Sequence, residues 1–424
     1  MTSKQVAWLI AALCLAYFLV MAVPNARGAQ SEKMLAATSI DEPVTYPYVV
    51  RMLTPAKDAK DLFTRWVIYG DYHYGYPFYF FSALAVLPVR LVYGAAFADH
   101  TALNLWLLRQ LISVLPTLLA AALLVYLHTR FEKPWAAAGL LVLLLSIRAV
   151  VRSSLQWWHP DALSLLAIVL TLAFLSRDRL RFGRNFYLAA AACGVAAGIK
   201  FAGFFFFLAI AAYLLAGLVR NTLNLRQAAL RAGLFVAIRA AALVVSNPFL
   251  YNRGAREELV KIQTFKTEEL DQGYSHDDPQ YYAKGPEWWT WTLETWYAGP
   301  LVLGYLLVSL GVGCLWGPNR LLNRLILLWI LPYTIYLFYF VAVKPDHYFL
   351  PVMLPLYSAA LNIPLALGER RIPILRSWPR LSLALGLLAV ALLAGHLVAN
   401  LARPYSGAIV RYAQALQVES AYQP

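Results

Sequence analysis

Apolar residues recur in long runs along this chain, from Val6 to Leu401, with short polar loops between them. A helix needs about 20 such residues to cross a bilayer. The runs at 6–23, 102–127, 135–151, 160–175, 186–199, 201–219, 229–246, 298–316, 321–343, 348–367 and 381–402 predict about eleven transmembrane helices. The shorter ones need local thinning or tight pairing with a neighbour. A further run, 77–93, competes for a crossing. The first run follows Lys4 and resembles a signal peptide, with Ala26-Arg27-Gly28 as a loose cleavage site. An apolar stretch of about 18 residues is long for a signal and adequate for a span, so it reads as an uncleaved helix.

Loop charge sets the orientation, because cytoplasmic loops collect Lys and Arg. The basic loops are 128–134, 176–185, 220–231, 317–324 and 368–380. They fall on one side only if 77–93 lies on the outer surface as an interfacial or re-entrant helix. Its aromatics, Phe78, Tyr79, Phe80, Phe81 and Tyr93, suit the headgroup zone. The expected architecture is an all-α integral membrane protein. One transmembrane domain covers 1–402, with external loops at 24–101 and 247–297 and a short external tail at 403–424. Of the 22 acidic residues, only Glu132, Asp178 and Glu369 then face the cytoplasm. Long loops are usually functional, so the spans read as a scaffold for an external site.

Composition agrees. The chain is 61% hydrophobic and 14% charged, against roughly 25% charged in a soluble domain. The net charge of +14 comes from scattered loop residues. No basic face with interleaved aromatics appears, so membrane lipids and not nucleic acid are the expected partners. Cys14, Cys193 and Cys314 lie inside apolar runs and form no ligand motif.

Polar groups gather at the outer ends of the expected helices. Asp41-Glu42 follows the first crossing. One carboxylate there suits a general base, while an Asp before Pro43 is also a common helix start. Lys200 separates two apolar runs and either holds a lipid phosphate or snorkels at a turn. Asp161 opens a crossing, where it favours the helix dipole. That account leaves His159 unexplained. Lys344-Pro345-Asp346-His347 forms an outer turn between two runs, fit either for a phosphate or for a plain Pro-Asp turn. His73, His159, His276 and His347 are all external, which leaves a divalent metal open as a cofactor, although no H-x-x-H or HExxH spacing occurs. Arg109, Arg148, Arg239 and His396 fall within spans; Arg148 and Arg239 are expected either to pair with external carboxylates or lipid phosphate or to be buried against backbone carbonyls. The aromatic segment Trp288-Trp289-Thr290-Trp291 suits the interface or a sugar ring.

In order, these features resemble the GT-C superfamily of glycosyltransferases, closest to bacterial relatives of protein O-mannosyltransferases and lipid A aminoarabinose transferases. The resemblance rests on Asp41-Glu42, on His73-Tyr74-Gly75-Tyr76-Pro77 before a surface helix, on Trp106-Leu107-Leu108-Arg109, on Asp161, on Gly194 to Lys200, and on His347-Tyr348-Phe349-Leu350-Pro351. It covers about residues 1–370. The family's His-Pro-Pro-Leu-Tyr-type stretch departs here to His-Tyr-Gly-Tyr-Pro, and only about 20 residues follow the last expected crossing.

The resemblance implies inverting transfer of a sugar from a polyprenyl-phosphate donor to a lipid, glycan or protein acceptor, outside a bacterial inner membrane. Asp41 and Glu42 would be catalytic. Lys200, Lys344 and His347 would bind the donor phosphate. His73, His159, Asp161 and Asp346 would position the acceptor or a metal. The rival class is a transporter or flippase, which would place polar sites near the midplane and on broken helices.

Overall fold

The computed structural model describes residues 1–39, 41–273, 282–297 and 299–422, and no strand occurs among them. The chain opens with α1 (Ser3–Asn25), started by a reciprocal cap between Thr2 and Gln5. Four helices build the first of the two long loops expected to be external, named outer loops after that expectation: α2 (Glu32–Thr38), α3 (Glu42–Leu53), α4 (Ala59–Val67) and α5 (Tyr76–Tyr93). A long rod follows, made of α6 (Thr101–Leu108) and α7 (Leu115–Thr129) joined by a π-helical stretch, Arg109–Val114. Next come α8 (Pro134–Leu145) and α9 (Arg148–Ser154), bent by 66° at their junction.

The centre holds α10 (Asp161–Asp178), α11 (Arg184–Ile199), α12 (Phe207–Val219) and α13 (Leu225–Val245). The second outer loop carries α14 (Arg253–Gln272) and α15 (Trp289–Trp296). The last group is α16 (Pro300–Leu315), α17 (Arg320–Tyr339), α18 (Asp346–Ser358), α19 (Asn362–Gly368) and α20 (Pro379–Tyr422).

Every one of the eleven expected crossings has its helix. Among the described residues, eight segments are long and apolar enough to cross alone, and ten if two bent pairs count as spans. α10 and α11 fall short of that test for different reasons. α10 carries Asp161, Arg177 and Asp178, and α11 has only 16 residues. Both lie in the middle of the bundle. Small residues on α11, Ala189, Ala190, Cys193 and Gly194, are buried and let neighbouring backbones approach. A Cβ on Gly194 would fall on the Arg239 carbonyl of α13.

α5 also has the length and apolarity of a span, but its two ends are tied to one end of the bundle. Gly75 N–H donates to the Ile199 carbonyl at 3.2 Å, at the end of α11. Beyond its far end, the Phe97 carbonyl accepts from Asn104, at the start of α6, at 2.8 Å. α5 therefore runs across the end of the bundle and covers a second apolar core distinct from that of the crossings. Val49, Tyr69, Phe78, Val86, Leu105 and Trp158 are among its members.

The apolar run ending at Leu401 is not followed by a loose tail. α20 continues for 44 residues, about 66 Å at 1.5 Å per residue. Its far end returns to the first outer loop, where Glu419 accepts from Gly28 N–H at 2.8 Å and pairs with Arg27 at 3.2 Å.

The contact between Gly75 and α11 fixes the first outer loop to the centre. A Cβ on Gly75 would fall on the Gly198 carbonyl oxygen, a backbone atom that cannot rotate away. Gly75→Ala should therefore cost about 1–3 kcal/mol, as overpacking does. A thermal unfolding midpoint equal to wild type in the same detergent would contradict this.

Candidate active site

The end of the bundle where the two outer loops meet carries the clustered polar groups. Asp161 begins α10 and is buried. Its Oδ1 pairs with Lys200 Nζ at 2.5 Å, and its Oδ2 meets His159 Nδ1. His159 Nε2 in turn meets the Tyr74 hydroxyl at 2.7 Å. The His159 and His347 rings lie 4.7 Å apart, and Lys200 Nζ sits 4.7 Å from the Tyr348 ring. Lys200 is therefore no snorkelling lysine: it is buried and bound to a carboxylate two helices away in sequence.

Asp41 occupies the cap position of α3 but makes no side-chain cap hydrogen bond. Among the described residues its half-buried carboxylate has no hydrogen-bond or ion-pair partner. Its charge acts on Tyr74, His159 and Lys266, so it stands beside the Asp161 cluster. The neighbouring Glu42 is different. It is fully buried, and Arg109 grips it with two bonds, Nε–Oε1 at 2.9 Å and Nη2–Oε2 at 2.6 Å. The Trp158 N–H adds a third at 2.8 Å. Arg109 Nη1 donates to the Asn25 and Arg27 carbonyls. Glu42 thus ties together the ends of α1, α3 and the α6–α7 rod, and its oxygens are committed.

Two cavities flank the cluster. One, of about 320 Å³, is lined by His347, Asp346, Arg148, Arg152, Arg411 and Lys344 among others. Arg148 and Arg152, one turn apart on α9, grip Asp346 at 3.1 and 3.0 Å. The cations still outnumber the carboxylate, so the cavity favours an anion. Lys344 faces it from a buried position where its ammonium donates to the Ala283 and Val341 carbonyls. Burial pulls its pKa down to about 8.

The other cavity, of about 220 Å³, is lined by Lys200, Lys266, His73, Tyr74, Asn247 and aromatic rings. His73 Nδ1 lies 2.6 Å from Asp71. Burial alone would raise the Asp71 carboxyl, but contacts from His73 and Tyr79 hold it below the ordinary value. Lys266 sits 4.9 Å from the Tyr74 ring. Burial, with Lys200 adding to it, lowers the Lys266 pKa to about 8.

The structure brings Asp41, His159, Asp161, Lys200 and His347 together and sets His73 at the rim of one cavity. Lys344 and Asp346 belong to the other. His276 lies outside the described residues. Lys266, Arg152 and Arg411 escaped the sequence reading. A signal for Lys266 was available: Leu259, Ile262 and Lys266 share one stripe of α14, and the first two pack against the outer core.

Ligand atoms of His159, Asp161 and His347 lie within 4.8 Å of one another. They do not suit a metal ion. Both Asp161 oxygens and both His159 nitrogens already serve Lys200, Tyr74 and each other, and a lysine ammonium at 2.5 Å from the carboxylate would repel a second cation. The donor set fits a proton-linked network.

No family model and no curated protein matches the sequence. Solved structures do. A crystal structure of ArnT from Cupriavidus metallidurans bound to undecaprenyl phosphate aligns over 99% of this chain and 76% of that one, with a TM-score of 0.51 and 16% identity. The archaeal oligosaccharyltransferase AglB from Archaeoglobus fulgidus, in complex with an inhibitory peptide and a dolichol-phosphate, aligns over 96% of this chain and 56% of that one, with a TM-score of 0.48 and 13% identity. The likeness to ArnT, a GT-C membrane glycosyltransferase, shows that this chain has the GT-C fold.

Proposed function

We propose that this chain is a glycosyltransferase that moves a sugar from a polyprenyl-phosphate donor to an acceptor hydroxyl at the outer face of a membrane. The observation that carries the reading is Asp41: a carboxylate without a hydrogen-bond or ion-pair partner among the described residues, whose charge reaches His159, Tyr74 and Lys266 of the polar cluster. The undecaprenyl phosphate bound in the ArnT structure supports the donor class.

In this reading the acceptor oxygen attacks the anomeric carbon from the face opposite the phosphate. Asp41 takes the hydroxyl proton as the new C–O bond forms. The bond to the phosphate oxygen breaks, its electron pair stays with the leaving polyprenyl phosphate, and the configuration inverts. Lys200 and His347, with the excess cations of the 320 Å³ cavity, including Lys344, stabilise that anion where charge develops. Asp161 and His159 hold Lys200 and Tyr74 in position, Asp346 orients Arg148 and Arg152, and His73 contacts the acceptor. Glu42 acts through Arg109 and Trp158 as a positioning residue.

The test is transfer by purified protein in nanodiscs, supplied with radiolabelled polyprenyl-phosphate sugars and membrane acceptors. Label appearing in an acceptor with release of polyprenyl phosphate supports the reading. Passage of the lipid across the bilayer with no turnover overturns it in favour of a transporter.

Lys266 gives this reading a pH signature. With a pKa near 8, its positive charge is present below that pH and lost above it. Affinity for a polyprenyl phosphate should therefore fall as pH rises from about 7 to 9, and Lys266→Arg, which stays charged, should make the fall shallower, leaving the part due to Lys344, whose pKa is also about 8. An identical slope in both proteins would remove Lys266 from the binding site.

A further inference from the structure

At the end of the bundle opposite the candidate site, five arginines surround one cavity of about 600 Å³: Arg130, Arg179, Arg220, Arg320 and Arg324. They come from the ends of α7, α10 and α12 and the start of α17. No carboxylate lines the cavity. Asp178, next in sequence to Arg179, is buried and consumed by the Phe182 and Gly183 N–H groups at 2.8 and 2.9 Å and by the Tyr213 hydroxyl at 2.6 Å. None of the five guanidinium groups has an ion pair among the described residues. Elsewhere at this end, Lys133 and Arg371 share Glu369 at 2.9 and 2.6 Å.

Basic loops orient a membrane protein wherever their charges lie. Orientation alone does not require five of them to converge on a cavity. Nor does it account for the cavity's other wall, which is apolar: Ala212 and Ala216 of α12 lie one turn apart and face Leu325 and Leu328 of α17. We infer that this crevice binds an anionic phospholipid. Its phosphate sits among the guanidinium groups, and its acyl chains follow the apolar wall between α12 and α17. Guanidinium groups suit phosphate because they donate in a planar fork. Basic crevices between crossing helices are a general setting for such headgroups.

Native mass spectrometry of the full chain, released from nanodiscs of mixed phosphatidylglycerol and phosphatidylcholine, tests this. Wild type should retain phosphatidylglycerol preferentially. The triple variant Arg220→Gln, Arg320→Gln, Arg324→Gln should bind it roughly a hundredfold more weakly, and the corresponding triple lysine variant should keep most of the binding. The three side chains are exposed, so the fold should survive, and an unchanged unfolding midpoint verifies it. Retention unchanged in the glutamine variant overturns the site. Equal retention of phosphatidylcholine, or displacement of the lipid by millimolar inorganic phosphate, overturns the lipid as its ligand.

Discussion

Asp41→Asn should lower the rate of sugar transfer by about 10²–10⁴, the usual contribution of a general base, while leaving donor affinity near that of wild type. The substitution keeps the side chain's shape and removes its proton affinity. It should cost little stability, because the Asp41 side chain makes no cap or ion-pair contact to lose. The experiment compares initial transfer rates and unfolding midpoints of the two proteins at saturating donor. Activity within tenfold of wild type would move the base elsewhere, and Asp161 would be the next carboxylate to examine. A lowered midpoint alongside the lost rate would mean that Asp41 holds structure instead.

The largest loss of stability is expected from Glu42→Ala. The change leaves Arg109 charged, fully buried and without its carboxylate, and it strips the Trp158 N–H of its acceptor. Removing one partner of a buried pair costs about 3–5 kcal/mol, a large part of the stability of a marginal fold. Glu42→Gln retains acceptor capacity and should lose less. Unfolding midpoints in one detergent measure both, and a Glu42→Ala protein as stable as wild type would remove Glu42 from its structural role. Glu42→Gln protein that folds and still transfers sugar within tenfold of wild type would separate this carboxylate from Asp41, its neighbour in sequence.

That separation could not be read from the sequence. Adjacent residues on a helix point in different directions, but the partner that consumes Glu42 is Arg109, 67 positions away. Apolar runs reported the crossings well, because length and hydropathy are local properties and lipid enforces them. They overestimated the sharpness of the last boundary: beyond Leu401 the residues turn more polar, yet the helix persists to Tyr422, with Ala415 and Glu419 buried against the rest of the protein. The charged positions were visible as exceptions within or between those runs, which is why Lys200, Asp161 and His347 stood out. What each charge does depends on where its partners lie. Lys344 looks in sequence like a free phosphate ligand, whereas two backbone carbonyls take two of its three ammonium donors. Arg152 and Lys266 drew no attention because one lies on a short bent helix and the other on an amphipathic one, where cations are ordinary.

The bond between Glu419 and Gly28 spans 391 positions, and this has a bearing on biogenesis. A ribosome adds roughly 5–20 residues per second, so the first outer loop waits on the order of half a minute before α20 is made. Until then the segment leading from α1 towards Asp41 lacks its latch. On the proposed function, the candidate base Asp41 would acquire its final setting late in synthesis, after the central helices have inserted.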